Sequence, residues 1–432
     1  MKDKFLYFYY FALILMLALY TNMSHSPNMV VRLSYLAALV LPLVKRVELF
    51  PAVIICALGI SKNTFAYPLM PTDLYYYVIL SLVFAILALN RRGFHTDINP
   101  LFVIAIIFVL LNDIILQETP SQMVTVFFTF IAFYFCIDTI SEVDTQNFSL
   151  SFMLISLTIG SWILFVPEAQ VNSYNTVEEM EQTGWTDPNY LGAALGTGLV
   201  VAVKDLLEGN KKPYYIIISI LTVILTTFAM LQLASRGAFL AVVLAIVILF
   251  ISSKRKGWYK IVVVGLAVLF VWLLYSNQYM EFVLARFEAD DGTGSNRTVY
   301  WFSKLDAFFN IKNPLNWIFG IGHSGGVELG EGFGGGHSTH NDFVSALIYY
   351  GFVGLILFFC AIMYPLRICQ KSDRPQIFAL LVYLLTCSMT IEPLARGNFV
   401  YWGFFFYIIV LARQSQAMEL VEEEEDEDEV QD

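Results

Sequence analysis

Residues 213–231 read PYYIIISILTVILTTFAML and contain no charged side chain. An α-helix of this length extends about 29 Å at 1.5 Å per residue, which matches the hydrocarbon thickness of a bilayer. Apolar residues make up 58% of the 432 residues and charged residues only 14%, whereas a soluble globular domain is about a quarter charged. This composition excludes a disordered, collagen-like or disulfide-rich secreted chain and indicates a polytopic membrane protein.

Similar apolar runs recur along the whole chain and predict 12–14 transmembrane helices. None of them shows the ten-residue alternation of a transmembrane barrel, so we predict an all-α helical bundle. The run at 47–60 is short enough to be re-entrant instead of spanning. The predicted spans lie near residues 5–20, 29–44, 47–60, 74–89, 101–117, 122–138, 148–167, 189–203, 213–231, 237–251, 258–276, 341–364, 376–391 and 398–412.

The distribution of Lys and Arg between alternate loops predicts the orientation. Seventeen of the 25 basic residues fall on one side of the alternating spans, which is therefore predicted to be cytoplasmic. Most of the other eight lie at or in outward loops, where topology gives no reason for positive charge. These eight are Arg32, Lys62, Arg236, Arg286, Arg297, Lys304, Lys312 and Arg396.

These patterns divide the chain into six predicted regions. Two outward loops stand out, the second of them some sixty residues long, with an apolar pattern at helical spacing over Thr298–Phe309 and a glycine-rich stretch, Gly325–Gly336, that we interpret as a mobile lid. The regions are N-terminal transmembrane helices at 1–167, an outward loop at 168–188, central transmembrane helices at 189–276, a large outward loop at 277–340, C-terminal transmembrane helices at 341–413 and an acidic cytoplasmic tail at 414–432.

The net charge of −11 describes the tail and not the body of the protein. Ten of the 36 acidic residues lie within residues 419–432, and the rest of the chain is close to neutral. We predict a solvated, disordered extension, with a partner-docking segment as the alternative.

Three outward arginines are candidate phosphate ligands: Arg236, Arg297 and Arg396. Each guanidinium can form a bidentate, charge-assisted pair with a phosphate. The alternative for any one of them is snorkelling at the interface or pairing with a local acid.

Histidines of the large outward loop are candidate proton acceptors. His337 and His340 stand in the string HSTHNDF at the point where the chain re-enters the membrane, and histidine is the usual general base near neutral pH. The neighbouring Asn341 and Asp342 can orient it or bind a substrate hydroxyl, or the string is a helix-capping cluster. A zinc site formed by both histidines and His323 is a further alternative, although its spacing is unspecific.

An outward-facing membrane site has no nucleotide pool, so an activated donor must already be energised within the bilayer. A polyprenyl-diphosphate sugar fits, because arginines can neutralise the departing diphosphate while a histidine deprotonates the acceptor hydroxyl. Aromatic faces for sugar rings are offered by Trp185, Tyr300, Trp301 and Trp317, although packing explains these equally well.

At these residues the chain resembles the O-antigen ligases and O-antigen polymerases. The resemblance covers roughly residues 184–360. It rests on Asp187-Pro-Asn189-Tyr190, Ser235-Arg236-Gly237, Gly294-Ser-Asn-Arg297 followed by Trp301, Phe319-Gly320-Ile-Gly322, and His340-Asn341 followed by Gly351-Phe-Val-Gly354.

The resemblance implies a GT-C-type, metal-independent, inverting glycosyltransferase of the bacterial inner membrane, with its active site facing the periplasm and no cofactor. Its donor would be an undecaprenyl-diphosphate-linked glycan, and its acceptor a glycan or lipid A–core, with no nucleic acid involved. It assigns diphosphate contacts to Arg236 and Arg297 and the base to His340, with His337 as the nearby alternative. We add Arg396 as a diphosphate contact and Asn189, Trp301, Asn341 and Asp342 as sugar contacts.

Two other function classes compete with this prediction. A polysaccharide transporter or lipid-linked sugar flippase would use ionisable groups on broken helices near the midplane, and often shows internal repeats. The candidate groups here, Asp113 and Glu392, are predicted near outer helix ends, and the sequence shows no repeat. A non-catalytic scaffold would leave the outward arginines unexplained.

Overall fold

The computed structural model describes residues 100–118, 145–165, 188–209, 213–233, 235–254, 297–330, 339–391 and 399–431. Within these ranges every regular element is an α-helix, and the predicted all-α polytopic class is confirmed. In chain order the helices are α1 Pro100–Ile115, α2 Thr145–Phe165, α3 Pro188–Glu208, α4 Pro213–Leu233, α5 Arg236–Ser252, α6 Arg297–Phe309, α7 Pro314–Phe319, α8 Gly322–Glu328, α9 Asp342–Ile368, α10 Arg374–Ile391 and α11 Phe399–Gln431.

Five helices among the described residues are long and apolar enough to cross a membrane, namely those at Phe148–Phe165, Asn189–Glu208, Pro213–Leu233, Asp342–Ile368 and Arg374–Ile391. Val103–Ile115 and Arg236–Ser252 form shorter apolar helices. The predicted spans at 5–20, 29–44, 47–60, 74–89, 122–138 and 258–276 lie outside the described residues, so the total of 12–14 stays a prediction.

The chain divides into two compact units. The first consists of Met1–Tyr76, Glu142–Ala289 and Phe399–Tyr401, and the second of Tyr77–Ser141, Asp290–Asn398 and Trp402–Asp432.

In the first unit, α3 packs against α2, α4 and α5. A small-residue contact joins α3 to α2, since a Cβ on Gly198 would overlap the Ser156 side chain. The Ser156 hydroxyl donates to the carbonyl oxygen of Leu195 at 3.0 Å. Small residues let membrane helices approach closely, which explains why this pair lies at the crossing.

The charges at the end of α3 correct one part of the sequence interpretation. The predicted span at 189–203 ends before Lys204 and leaves it in a cytoplasmic loop, but the structure places this lysine within α3 and buries it. Its Nζ lies 2.6 Å from Glu208 Oε1 and 3.2 Å from Asp205 Oδ1, and Tyr215 of α4 donates to Asp205 Oδ2 at 2.7 Å. A buried charge needs such partners. The ion pairs within α3 therefore explain the position of this lysine in addition to the orientation rule for cytoplasmic loops.

In the second unit, α9 is the central element, and α1, α7, α8 and α10 pack against it. The sequence predicted one continuous span at 341–364. The structure instead breaks α9 at Gly351, whose φ of 67° and ψ of −166° are not helical. The predicted helix at Thr298–Phe309 is present as α6, and its Phe308 joins Leu347, Ile348 and Tyr349 in a core against the first half of α9.

The acidic run continues the last helix. The backbone of α11 is helical from Phe399 to Gln431, where the sequence predicted a disordered extension after residue 414. Glutamate is a strong helix former, so a run of glutamates following an apolar helix can extend it although like charges repel.

Candidate active site

Helix α6 presents one face to its neighbours. Arg297, Trp301, Lys304 and Phe308 follow each other at intervals of four, three and four residues, which places them on one side of an α-helix. Lys304 and Phe308 have no solvent-exposed surface. The polar groups of this face donate hydrogen bonds to backbone carbonyls of three different segments.

The first two bonds involve residues that the sequence singled out. Arg297 Nη1 donates to the carbonyl oxygen of Thr390, near the end of α10. Trp301 Nε1 donates to the carbonyl oxygen of Thr339 at 2.6 Å. Trp301 therefore fixes the backbone directly before His340, a contact that its predicted role as a sugar platform did not include.

The third bond set belongs to Lys304, which the sequence noted only as an unexplained outward charge. Its Nζ donates to the carbonyl oxygens of Gly326 at 2.7 Å, Val327 at 3.1 Å and Leu329 at 3.1 Å. These carbonyls lie at the C-terminal end of α8, where a helix lacks internal donors and its dipole is negative. Lys304 therefore caps α8 from a separate helix.

The opposite end of α8 is capped by Glu118, a residue that the sequence gave no reason to single out. Its carboxylate accepts the Ser324 backbone N–H at 2.9 Å and the Ser324 hydroxyl at 2.7 Å. The local N-cap residue, Ile321, has no side chain able to accept these bonds. Both distant charges therefore have the sign that complements the helix dipole.

This arrangement corrects the first part of the predicted lid, at residues 325–328. The glycine-rich stretch Gly325–Gly336 was expected to be mobile, but its first residues belong to α8, which is held at both ends. On α8, His323 lies against the ring of Tyr349, with centroids 5.0 Å apart. Residues 331–338 lie outside the described residues.

The break in α9 is filled by the turn between α7 and α8. Gly351 and Gly320 both have positive φ, at 67° and 84°. A Cβ on Gly351 would overlap the Ile318 carbonyl, and one on Gly320 would overlap the Tyr349 carbonyl. Ile321 N–H donates to the Ile348 carbonyl at 3.0 Å. The two glycine motifs that carried part of the family resemblance therefore pack against each other.

His340 lies at the entrance to α9, in an uncommon backbone conformation. It has a φ of 50°, in the left-handed region that costs a non-glycine residue about 1–2 kcal/mol. Such outliers persist when surrounding contacts enforce them, and they cluster at functional sites. His340 is half-buried and directly precedes Asn341, the N-cap residue of α9.

Hydrogen bonds around the next residues enforce this turn. The Asn341 side chain accepts the backbone N–H groups of Phe343 at 2.9 Å and Val344 at 3.2 Å, so the capping alternative describes this asparagine. Thr339 Oγ1 accepts Asn341 N–H at 3.2 Å and lies 2.5 Å from Ser345 Oγ. The predicted sugar contact Asp342 is buried in the first turn of α9.

Two predicted site residues belong to the first unit. Arg236 is the first residue of α5, and Ser235 before it is buried and donates to Asn189 Oδ1 at 3.1 Å. A Cβ on Gly192 would come within 2.9 Å of Ser235 Cβ, so α3 and α5 meet closely here. The structure thus brings Asn189, at the start of α3, next to the start of α5.

The remaining candidates divide as follows. Arg396, His337, Trp185 and Glu392 lie outside the described residues. Among the described residues, no group of three or more His, Cys, Asp or Glu side chains is placed to hold a metal ion. The proposed zinc ligand set of His323, His337 and His340 is not tested, because His337 is one of its members.

Comparison with known proteins supports the resemblance over the region just described. No curated protein matches the chain. The family model described as O-antigen ligase matches residues 221–359, which include Arg236, Arg297, Trp301, His340 and the first half of α9. The predicted resemblance is thereby confirmed over residues 221–359, where the chain is similar to the O-antigen ligase family.

Proposed function

We propose that the protein is an inner-membrane glycosyltransferase that moves an undecaprenyl-diphosphate-linked glycan onto a sugar hydroxyl of a surface polysaccharide, as an O-antigen ligase or a repeat-unit polymerase. The observation that carries this proposal is the family match over 221–359, which contains two of the three candidate arginines, Arg236 and Arg297, and the candidate base His340. The enforced conformation of His340 adds to it, since strain at a polar residue is typical of functional sites.

In the proposed reaction, the acceptor hydroxyl attacks the anomeric carbon of the donor from the face opposite the diphosphate. The new bond joins the acceptor oxygen to that carbon, and the bond from the carbon to the phosphate oxygen breaks. The hydroxyl proton passes to the imidazole of His340, and the anomeric configuration inverts.

The departing diphosphate carries the electron pair of the broken bond, and its charge is assigned to Arg236 and Arg297. Guanidinium groups stabilise this developing charge by paired hydrogen bonds, and no metal ion is invoked. Arg297 Nη1 donates to the Thr390 carbonyl, so one nitrogen of this guanidinium is anchored to the backbone of α10.

The transporter alternative rests on broken helices with ionisable groups, and α9 with the neighbouring acid Asp113 has both features. In a transporter, however, the broken backbone lines a cavity for the substrate. Here the break at Gly351 is filled by the α7–α8 turn, with Ile321 N–H bonded to the Ile348 carbonyl. This filling favours a structural break over a transport site.

Deletion of the gene, followed by gel analysis of surface polysaccharide, tests the proposal in the cell. A lost ladder with a single repeat still attached to the core would identify a polymerase. An unmodified core with accumulating lipid-linked chains would identify a ligase. Normal surface polysaccharide in the deletion strain would contradict both.

A further inference from the structure

The backbone conformation of His340 is set by the two peptide planes that flank it. A residue's φ and ψ describe how the plane before it is rotated relative to the plane after it, because each peptide group is rigid. Contacts that fix both planes therefore fix φ and ψ together. Both planes around His340 have such a contact.

The plane before His340 is held by α6. Its carbonyl oxygen, that of Thr339, accepts the indole N–H of Trp301 at 2.6 Å. The plane after His340 is held by a side chain, because its N–H, that of Asn341, is accepted by Thr339 Oγ1 at 3.2 Å. Thr339 thus provides the acceptor in both cases, once with its backbone and once with its hydroxyl.

The Thr339 hydroxyl is itself held in place. Its oxygen lies 3.0 Å from the Asn341 carbonyl oxygen and 2.5 Å from Ser345 Oγ, in the first turn of α9. Its single proton can be donated to either, and the Ser345 hydroxyl can donate in return. Thr339 and Ser345 have no exposed surface, so bulk water has no ready access to replace either hydroxyl.

We infer that Thr339 is a positioning residue that holds His340 in its left-handed conformation and so aims the imidazole at the acceptor hydroxyl, with Ser345 supporting the Thr339 hydroxyl. This inference rests on the proposed function, because it gives His340 the role of base. Without the hydroxyl the plane after His340 loses its contact with Thr339 Oγ1, and the backbone can relax toward the conformations that non-glycine residues prefer. The imidazole would then leave its productive direction while the arginines keep theirs.

The experiment compares Thr339→Val, which keeps the shape but removes the hydroxyl, with Thr339→Ser, which keeps the hydroxyl. The readouts are glycan transfer by the purified protein in lipid, donor binding and thermal unfolding. Thr339→Val should lower kcat about tenfold or more, short of the hundred- to ten-thousandfold loss that removal of a general base causes, with donor binding unchanged. Thr339→Ser should restore most of the rate.

Two further variants keep the test informative. Thr227→Val removes a hydroxyl that only donates within α4, to the Val223 carbonyl at 2.6 Å, and should leave kcat unchanged. Ser345→Ala removes the support of the Thr339 hydroxyl and should lower kcat in the same direction by less. If Thr339→Val fails to fold, the kcat of Ser345→Ala is compared with that of the wild type instead.

The possible outcomes distinguish a failure of this inference from a failure of the proposed function on which it rests. Wild-type kcat in both Thr339→Val and Ser345→Ala, alongside an inactive His340→Ala, would overturn the positioning role and leave the proposed function standing. Equal loss of donor binding and thermal stability in Thr339→Val, without recovery in Thr339→Ser, would also overturn it by showing a purely structural role. Normal transfer by His340→Ala would instead remove the proposed base.

Discussion

Glu118 and Lys304 hold the two ends of the same short helix, although neither belongs to it and they are 186 positions apart in the chain. The carboxylate of Glu118 accepts two hydrogen bonds from Ser324 at the start of α8, and the ammonium of Lys304 donates to three carbonyls at its end. A helix of seven residues is too short to be stable by itself. The two charges therefore stabilise α8 at both ends where it packs against the first half of α9.

Replacing the buried lysine should destabilise the protein strongly. Lys304→Met keeps the length of the side chain but leaves three carbonyls without their donor, and each buried unsatisfied group costs about 1–3 kcal/mol. We expect a loss of about 2–4 kcal/mol after partial relaxation, seen as a lower thermal unfolding midpoint. The exposed Lys371→Met is the matched control and should unfold as the wild type does. Equal midpoints for both variants would contradict the capping role.

The cap at the other end of α8 should depend on the acceptor more than on the charge. Glu118→Gln keeps one oxygen for the Ser324 N–H, whereas Glu118→Ala removes both acceptors. N-cap replacements by alanine cost about 0.5–2 kcal/mol, so the alanine variant should fall in that range and the glutamine variant below it. Ser324→Ala removes only the hydroxyl bond and should lie between the wild type and Glu118→Ala. The unfolding midpoints of the three variants give this order, and a glutamine variant as unstable as the alanine variant would contradict it.

The break in α9 predicts a sharp difference between two glycines close in space and sequence. Gly320→Ala forces a Cβ into the Tyr349 carbonyl at a positive φ, so folded yield should fall severely. Gly325→Ala meets only ordinary contacts at 3.5 Å and beyond within α8, where alanine is the better helix former by about 1 kcal/mol. Folded yield after detergent extraction and size-exclusion chromatography measures both. Equal yields would show that the α7–α8 turn does not pack into the break.

Much of this fold could be predicted from the pattern of apolar residues, because a bilayer requires long apolar helices and these are visible as runs in the sequence. The described spans, such as Pro213–Leu233, begin and end within a few residues of the predicted bounds. The break at Gly351 could not be predicted, since the apolar run continues through it and only the docked turn at Ile318–Ile321 explains it.

The candidate site was predictable to a similar extent. His340, Arg297 and Trp301 were identified by their residue types and by the resemblance, and Asn341 fits the capping alternative. The supporting residues were not identified. Thr339 has no chemistry that marks it in a sequence, and the partners of Lys304 lie more than twenty residues away in the chain. Such roles depend on tertiary contacts between segments.

The predicted orientation can be tested with one matched pair of exposed lysines. Lys312 lies in the large loop predicted to face outward and Lys254 follows α5 on the side predicted to be cytoplasmic. In a variant without native cysteines, an impermeant thiol reagent should label Lys312→Cys in intact spheroplasts, and Lys254→Cys only after permeabilisation. The reverse pattern would place the arginines beside the cytoplasmic nucleotide pool and remove the argument for a lipid-linked donor.

The central claim is that His340 acts as the base while Arg236 and Arg297 bind the diphosphate. The most direct measurement therefore compares donor binding with glycan transfer in lipid for His340→Ala, Arg297→Lys and Arg297→Ala. We expect His340→Ala to bind the undecaprenyl-diphosphate-linked donor normally and to transfer about a hundredfold more slowly or worse. Arg297→Lys should keep part of the transfer because it retains the charge, and Arg297→Ala should lose nearly all of it. Normal transfer by His340→Ala, or wild-type donor binding and transfer by Arg297→Ala, would contradict this account.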